Sequence, residues 1–154
     1  MMSRYYVDCE FDGHGGEMLS MAVVCEDGRG LYLCIADKPD LLDEWVDANV
    51  WPLVHLRIPV GRTVAYVEDW GHFLRKFIGA TTSPVVIADS PVDIWRFCEA
   101  LSSDRPHVWH SVDNPKLTFE VHNVDCYPTD LPGAVQHNAW WDAMALKHKL
   151  ERSQ

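Results

Sequence analysis

Val85-Val86-Ile87-Ala88-Asp89-Ser90-Pro91-Val92-Asp93-Ile94 (85–94) contains the change of period on which the fold turns. Four apolar residues without a polar break read as a strand buried on both faces. The strand runs straight into a helix. Ser90 can cap it, Pro91 suits the first helical position and Asp93 takes the capping-box position. Ile94, Phe97, Cys98 and Leu101 then fall at i, i+3, i+4 and i+7, one apolar stripe. A buried strand feeding a helix is the unit of an α/β sheet.

On the N-terminal side, residues 4–9, 19–25 and 31–36 read as three short strands, with Glu26-Asp27-Gly28-Arg29-Gly30 joining the second and third. Asp-Gly between apolar runs is a strong hairpin signal. Leu41, Leu42, Trp45, Val46 and Val50 predict a helix over about 40–50, stopped at Trp51-Pro52 because a residue before proline is pushed out of the helical region. Residues 53–63, with Pro59 and Gly61, read as irregular. Trp70, Phe73, Leu74 and Phe77 mark a helix over 68–78, weakened by Gly71. On the C-terminal side, Pro106, Pro115, Pro128, Pro132 and Gly133 break up 102–133 around short strands at 107–112 and 117–124. Ala139, Ala143, Leu146 and Leu150 predict a last helix beginning near Gln136 or His137. The expected fold class is therefore α/β, a mixed sheet combining a three-strand antiparallel meander with parallel strands and flanked by helices. With no repeat, low-complexity tract or linker, residues 1–154 read as a single domain.

The 154 residues carry 13 Lys and Arg against 23 Asp and Glu, a formal net charge of −10. That balance excludes a passive nucleic-acid coat, whose phosphate contacts need basic residues. It leaves room for a protein whose positive charge arrives as bound metal. A hydrophobic share of 47% and a charged share of 23% indicate neither disorder nor a fibre. No secretion signal or membrane-spanning run is read. Five scattered cysteines (Cys9, Cys25, Cys34, Cys98, Cys126) with no CxxC pair fit reduced thiols in a cytoplasmic protein, as small core residues.

Asp8 and Glu10 lie two apart at the end of the first strand, so their carboxylates share a face. Buried together they would cost several kcal/mol unless a cation offset them; alternatively the strand ends at Cys9 and Glu10 is simply solvated. Asp93 needs no purpose beyond capping, and Asp89 rivals it at the end of the same strand. His137 and Asp142 would point about 140° apart if both were helical. If His137 instead lies in the loop from Pro132-Gly133, it can reach the cleft that Asp142 enters from the helix. No pair of histidines at i, i+4 supports a helical zinc site.

Asp8-x-Glu10, Asp93 at a helix start, and His137-x-Ala139-x-x-Asp142-Ala143 resemble, in order and spread, the three motifs of DEDDh 3′-to-5′ exonucleases, the RNase T and oligoribonuclease group of the RNase H-like superfamily. VDCEFDG followed by LSMAVVCEDGRGLYL is especially similar to compact single-domain exoribonucleases of the mycobacterial type. The resemblance implies an RNase H-like fold, with Asp8, Glu10, Asp93 and Asp142 holding two Mg²⁺ or Mn²⁺ ions and His137 as general base, releasing nucleoside 5′-monophosphates from an RNA 3′ end. The chemistry agrees: hard divalent ions take carboxylate oxygens, and an imidazole with pKa near ~6.5 suits proton removal at neutral pH. Two departures stand out. Phe11-Asp12-Gly13 replaces the Thr-Thr-Gly of many relatives, and Asp89-Ser90-Pro91-Val92 replaces an Asn and an aromatic before the second motif, which leaves Asp89 as an assistant or substitute for Asp93.

Phe11 and His14 could stack on the terminal base or serve as loop aromatics. Trp45, Trp95 and Trp140 are expected as packing residues, with Trp51, Trp70 and Trp109 unassigned. The remaining histidines (His55, His72, His107, His110, His122, His148) show no ligand spacing. The net charge favours a short single-stranded substrate held near its end. Two other readings are a 3′-to-5′ exodeoxyribonuclease and an inactive nucleic-acid-binding module on the same scaffold. Relatives of this kind are commonly homodimers, which the Trp-rich surface segments would allow.

Overall fold

The computed structural model describes residues 3–79, 81–104, 116–125, 128 and 131–152. Three antiparallel strands open the chain, β1 (Arg4–Phe11), β2 (Met18–Cys25) and β3 (Gly30–Cys34). Helices α1 (Glu44–Asn49) and α2 (Trp51–Val54) follow, then strand β4 (Thr63–Val64), a 3₁₀ turn at Val67–Asp69 and helix α3 (Trp70–Ile78). Strand β5 (Val85–Ala88) leads into α4 (Pro91–Leu101), and β6 (Thr118–Val121) precedes the last helix, α5 (Ala139–Arg152). The sheet runs in the order β4-β3-β2-β1-β5-β6. The β1-β2-β3 meander is antiparallel, whereas β5 pairs parallel to β1, β6 to β5 and β4 to β3. This mixed α/β sheet flanked by helices is consistent with an RNase H-like fold.

Both faces of the sheet are covered, which is why every residue of β2 is buried. On one face Tyr6, Ala22, Tyr32 and Ile87 pack with Val46, Val50 and Val54 of α1–α2 and with Trp140, Ala143 and Leu146 of α5. On the other, Tyr5, Val7, Val23 and Val86 pack with Trp70, Leu74 and Ile78 of α3 and Phe97 and Leu101 of α4. Small residues allow the closest approaches. A Cβ on Gly30 would meet the Trp140 ring at 2.2 Å, and one on Gly71 would lie 2.4 Å from Asp104 Oδ1 and 2.7 Å from the Leu101 carbonyl oxygen. The Gly71 that weakens the α3 prediction is thus what lets α3 sit against the end of α4.

The expected helix over 40–50 is corrected. Leu41 is 88% exposed, and Asp43 begins α1 by accepting the N–H groups of Trp45 (2.9 Å) and Val46 (3.3 Å). Nor does Pro52 end the helical stretch, because it lies in the first turn of α2, where its missing N–H costs nothing. Residues 53–63 are not wholly irregular, since they complete α2 and open β4. Strand β1 runs two residues beyond the predicted boundary, placing Glu10 inside the sheet, while β3 ends at Cys34. The last helix starts at Ala139, later than expected. Trp140 is buried as predicted, but Trp45 and Trp95 are 53% and 42% exposed, against the packing role expected of them. Cys9, Cys25 and Cys34 are buried core thiols and Cys98 is half-buried. The predicted strand at 107–112, Trp109 and Cys126 lie outside the described residues.

Candidate metal centre and active site

The parallel pairing of β1 with β5 stops at Tyr6 opposite Ile87. Carried two residues further, the register sets Asp8 across from Asp89 at the carboxyl ends of the two strands, the usual position for a crevice in an open α/β sheet. Glu10 follows Asp8 on the same face of β1. From β5 the chain turns into α4, where Ser90 Oγ accepts the Val92 N–H at 3.1 Å. Asp93, 5% exposed, turns its carboxylate to the sheet: its Oδ1 accepts the Cys9 N–H at 3.1 Å, tying the start of α4 to β1. Asp142 arrives from the opposite face, on the first turn of α5.

These residues meet in one cleft of about 290 Å³, lined by Asp8, Cys9, Glu10, Phe11, Asp89, Asp93, Gln136, His137 and Asp142. Larger concavities lie elsewhere, one of about 680 Å³ between β4 and α3, but neither it nor the concavity beside Trp141 gathers these carboxylates. Chemistry rather than size marks the site. Two sets of three carboxylates can each direct oxygens to a common point, Asp8 with Glu10 and Asp142, and Asp8 with Asp89 and Asp93, the oxygens of each set lying within 4.8 Å of one another. Asp8 belongs to both.

Electrostatics shows the strain of that crowding. Burial pushes Glu10 up to about 8, with the charges of Asp142 and Asp93 adding to it. Burial and then Asp89 raise Asp93 to about 7, and burial raises Asp142 to about 6 against the backbone N–H groups of His137 and Asn138, which favour its charged form. Asp8 moves the same way, through burial first and then Asp93, Glu10 and Asp142. Glu10 shares a side-chain hydrogen bond with Asp142, and Asp93 with Asp89. Two carboxyl pairs thus flank Asp8, and the crowding of each favours a proton or a cation between them. The donor set of the two groups is carboxylate oxygen, which hard divalent cations take.

His137 lies outside α5, in the left-handed region with φ +62°. This is the loop placement that lets it line the same cleft as Asp142. The Trp45 ring meets its imidazole edge-on, centroids 5.0 Å apart at 84°. Phe11 lines the cleft, whereas His14 is exposed and faces Trp95, ring centroids 6.3 Å apart. Of the residues singled out from sequence, only His14 is not brought to the carboxylates. Sequence reasoning missed Asn138, 1% exposed, which donates from Nδ2 to the Leu53 carbonyl at 2.8 Å and whose carbonyl accepts the Asp142 N–H at 3.0 Å. Its signal was available, since Asn directly before an apolar helix is a preferred cap. The exposed Trp45 carried no comparable signal.

No protein-family model matches the chain. Two 3′-5′ exoribonucleases of Mycobacterium tuberculosis, from strains CDC 1551 / Oshkosh and ATCC 25618 / H37Rv, are each 42% identical to it over 52 residues. The match takes in 32% of this chain. Over that stretch the chain resembles 3′-5′ exoribonucleases. It spans only 31% of each relative's length, so the likeness supports nuclease chemistry in general and leaves substrate and mechanism to the site. Among the described residues, no helix is long and apolar enough to cross a membrane.

Proposed function

We propose that this protein is a two-metal-ion 3′-to-5′ exoribonuclease that shortens single-stranded RNA from its 3′ end and releases nucleoside 5′-monophosphates. The observation that carries the reading is the pair of carboxylate sets joined at Asp8, with His137 on the wall of the same cleft. Asp8, Glu10 and Asp142 would hold one Mg²⁺ or Mn²⁺, and Asp8, Asp89 and Asp93 the other. In this reading Asp89 assists Asp93 rather than replacing it. The ions, when bound, supply charge that stabilises both the attacking and the leaving oxygen of an in-line displacement at phosphorus.

The chain's own residues supply position and proton transfer. His137 accepts the proton of the attacking water, for which an imidazole is suited near neutral pH. The edge of Trp45 limits the orientations open to that ring. Phe11 supplies an apolar surface beside the carboxylates on which a terminal base could rest. The net charge of −10 disfavours a long duplex track and favours a short strand gripped at its end. RNA rather than DNA follows from the relatives' activity alone. A homodimer and a cytoplasmic location remain part of the proposal, the first from the family resemblance and the second from five scattered cysteines with no CxxC pair.

The test is incubation of the protein with 5′-labelled RNA and DNA oligomers in Mg²⁺, Mn²⁺ or EDTA. An RNA ladder shortened from the 3′ end only with metal is expected. Cleavage of DNA alone would make the enzyme an exodeoxyribonuclease, and binding without cleavage in either metal would make it an inert module. In the same assay His137→Ala should lower kcat by ~10²–10⁴-fold, the usual contribution of a general base, while leaving the number of bound ions unchanged.

A further inference from the structure

We infer that Arg96 is a positioning residue, which fixes the loop 11–17 that leaves the cleft at Phe11 and thereby sets how the 3′-terminal nucleotide is received. This rests on the proposed function and adds the device that shapes its substrate seat. Arg96 lies on α4, is only 6% exposed, and joins that loop to its own helix. Its Nη2 donates to the Gly16 carbonyl oxygen at 2.7 Å, and Nη1 meets Glu99 Oε2 at 3.3 Å. The guanidinium carbon lies 4.7 Å from the centroid of the Phe11 ring and 4.7 Å from that of Trp95. A plane held against two aromatics while its fork reaches a carbonyl is a task for arginine, because a lysine ammonium offers neither plane nor fork.

The loop needs such an anchor. Gly13, Gly15 and Gly16 give its backbone wide freedom, and Gly13 and Gly15 take φ of +62° and +77°. Its own backbone bonds run from the Asp12 N–H to the Glu17 carbonyl at 2.9 Å, from the Gly13 N–H to the Phe11 carbonyl at 3.1 Å and from the Gly16 N–H to the Gly13 carbonyl at 3.4 Å. The chain closes tightly there, since a Cβ on Gly16 would lie 1.5 Å from the Asp12 carbonyl oxygen. At its other end Asp12 Oδ1 accepts the Asp43 N–H at 2.9 Å, and Asp43 caps the helix that carries Trp45 against His137. The loop is therefore slung between α4, through Arg96, and α1, through Asp43. Phe11, which lines the cleft, sits on the Arg96 side of that sling.

Arg96→Lys keeps the charge and removes the plane and fork. Trp95→Leu, at a position 42% exposed, removes one of the two aromatic contacts. Two readouts apply to the full chain: amide hydrogen exchange of residues 11–17 against that of β1 and β2, and the Kd of a 5′-fluorescein RNA oligomer in Ca²⁺, followed by KM and kcat in Mn²⁺. For Arg96→Lys, exchange in the loop and both Kd and KM should rise ~10-fold, with kcat within ~3-fold and the strand amides unchanged. Trp95→Leu should move the same readouts in the same direction by less. Unchanged loop exchange in both variants, an unchanged Kd, or a fall in kcat at constant KM would overturn the inference. A wild-type protein that binds RNA without cleaving it would overturn the proposed turnover and leave exchange and Kd to decide the role of Arg96; one that does neither overturns both.

Discussion

Asp142 concentrates the chemistry of the site in one side chain. It faces Glu10 across a shared hydrogen bond, and the N–H groups of His137 and Asn138 stabilise its charge. Asp142→Asn keeps the shape and removes one negative charge from a crowded set. In EDTA the variant should melt no lower than the wild type, since like-charge repulsion is relieved. In Mn²⁺ its kcat should fall by at least ~100-fold, because even loss of a group behind a metal ligand costs ~10–100-fold. Thermal melts in both media alongside the RNA assay check the two halves. A large loss of stability in EDTA would mean that the carboxylate serves the fold rather than the cation. Asp8, Glu10 and Asp142 were legible from spacing and motif, since two carboxylates buried on one strand face repel each other unless a cation joins them. Asp93 was harder to read, because capping alone accounted for it until its bond to the Cys9 N–H put it against β1.

At the scale of elements, the junction into α5 decides whether His137 and Asp142 can share a cleft. Asn138 makes that junction rigid: its side chain donates to the Leu53 carbonyl and to Tyr32 Oη, while its Oδ1 accepts the Trp141 N–H at 3.4 Å. Asn138→Ala removes a helix cap and leaves buried acceptors short of a donor, so unfolding in urea should show a loss of ~1–3 kcal/mol. Activity should fall with it, as the left-handed turn at His137 loses its support. An unchanged midpoint would show that the turn is held by other contacts. The strands β1, β2, β3 and β5 and the helix α4 were readable because hydrophobic period and punctuation agreed within each. Elsewhere they did not. Around α1 a run of apolar residues suggested a longer helix, yet Asp43 capped it late, and Trp45 turned toward His137 instead of the core. Strand β4, at two residues, is too short to show any period, and the hold of Arg96 on the loop 11–17 joins residues 80 apart in sequence.

Over the whole molecule, the central feature is an acidic cluster on which two layers of helices converge from opposite faces of one sheet. Folding raises Glu10 from 4.5 to about 8, Asp93 from 3.8 to about 7 and Asp142 from 3.8 to about 6. Groups raised by folding bind protons more tightly in the native state, so the stability they contribute is complete below about pH 4 and is lost as pH rises through about 6 to 8. In EDTA the Tm should therefore fall by at least ~3 °C between pH 5 and pH 8, the shift that ~1 kcal/mol produces in a chain of this size. Mn²⁺ should flatten that slope by replacing the protons. A slope indifferent to metal would assign the pH dependence to other groups. The most direct measurement is calorimetric titration of the metal-free full chain with Mn²⁺ at pH 7.5, with proton release followed in buffers of different ionisation enthalpy. The account predicts two ions per chain and release of protons on binding; fewer than two ions, or binding without proton release, would contradict it.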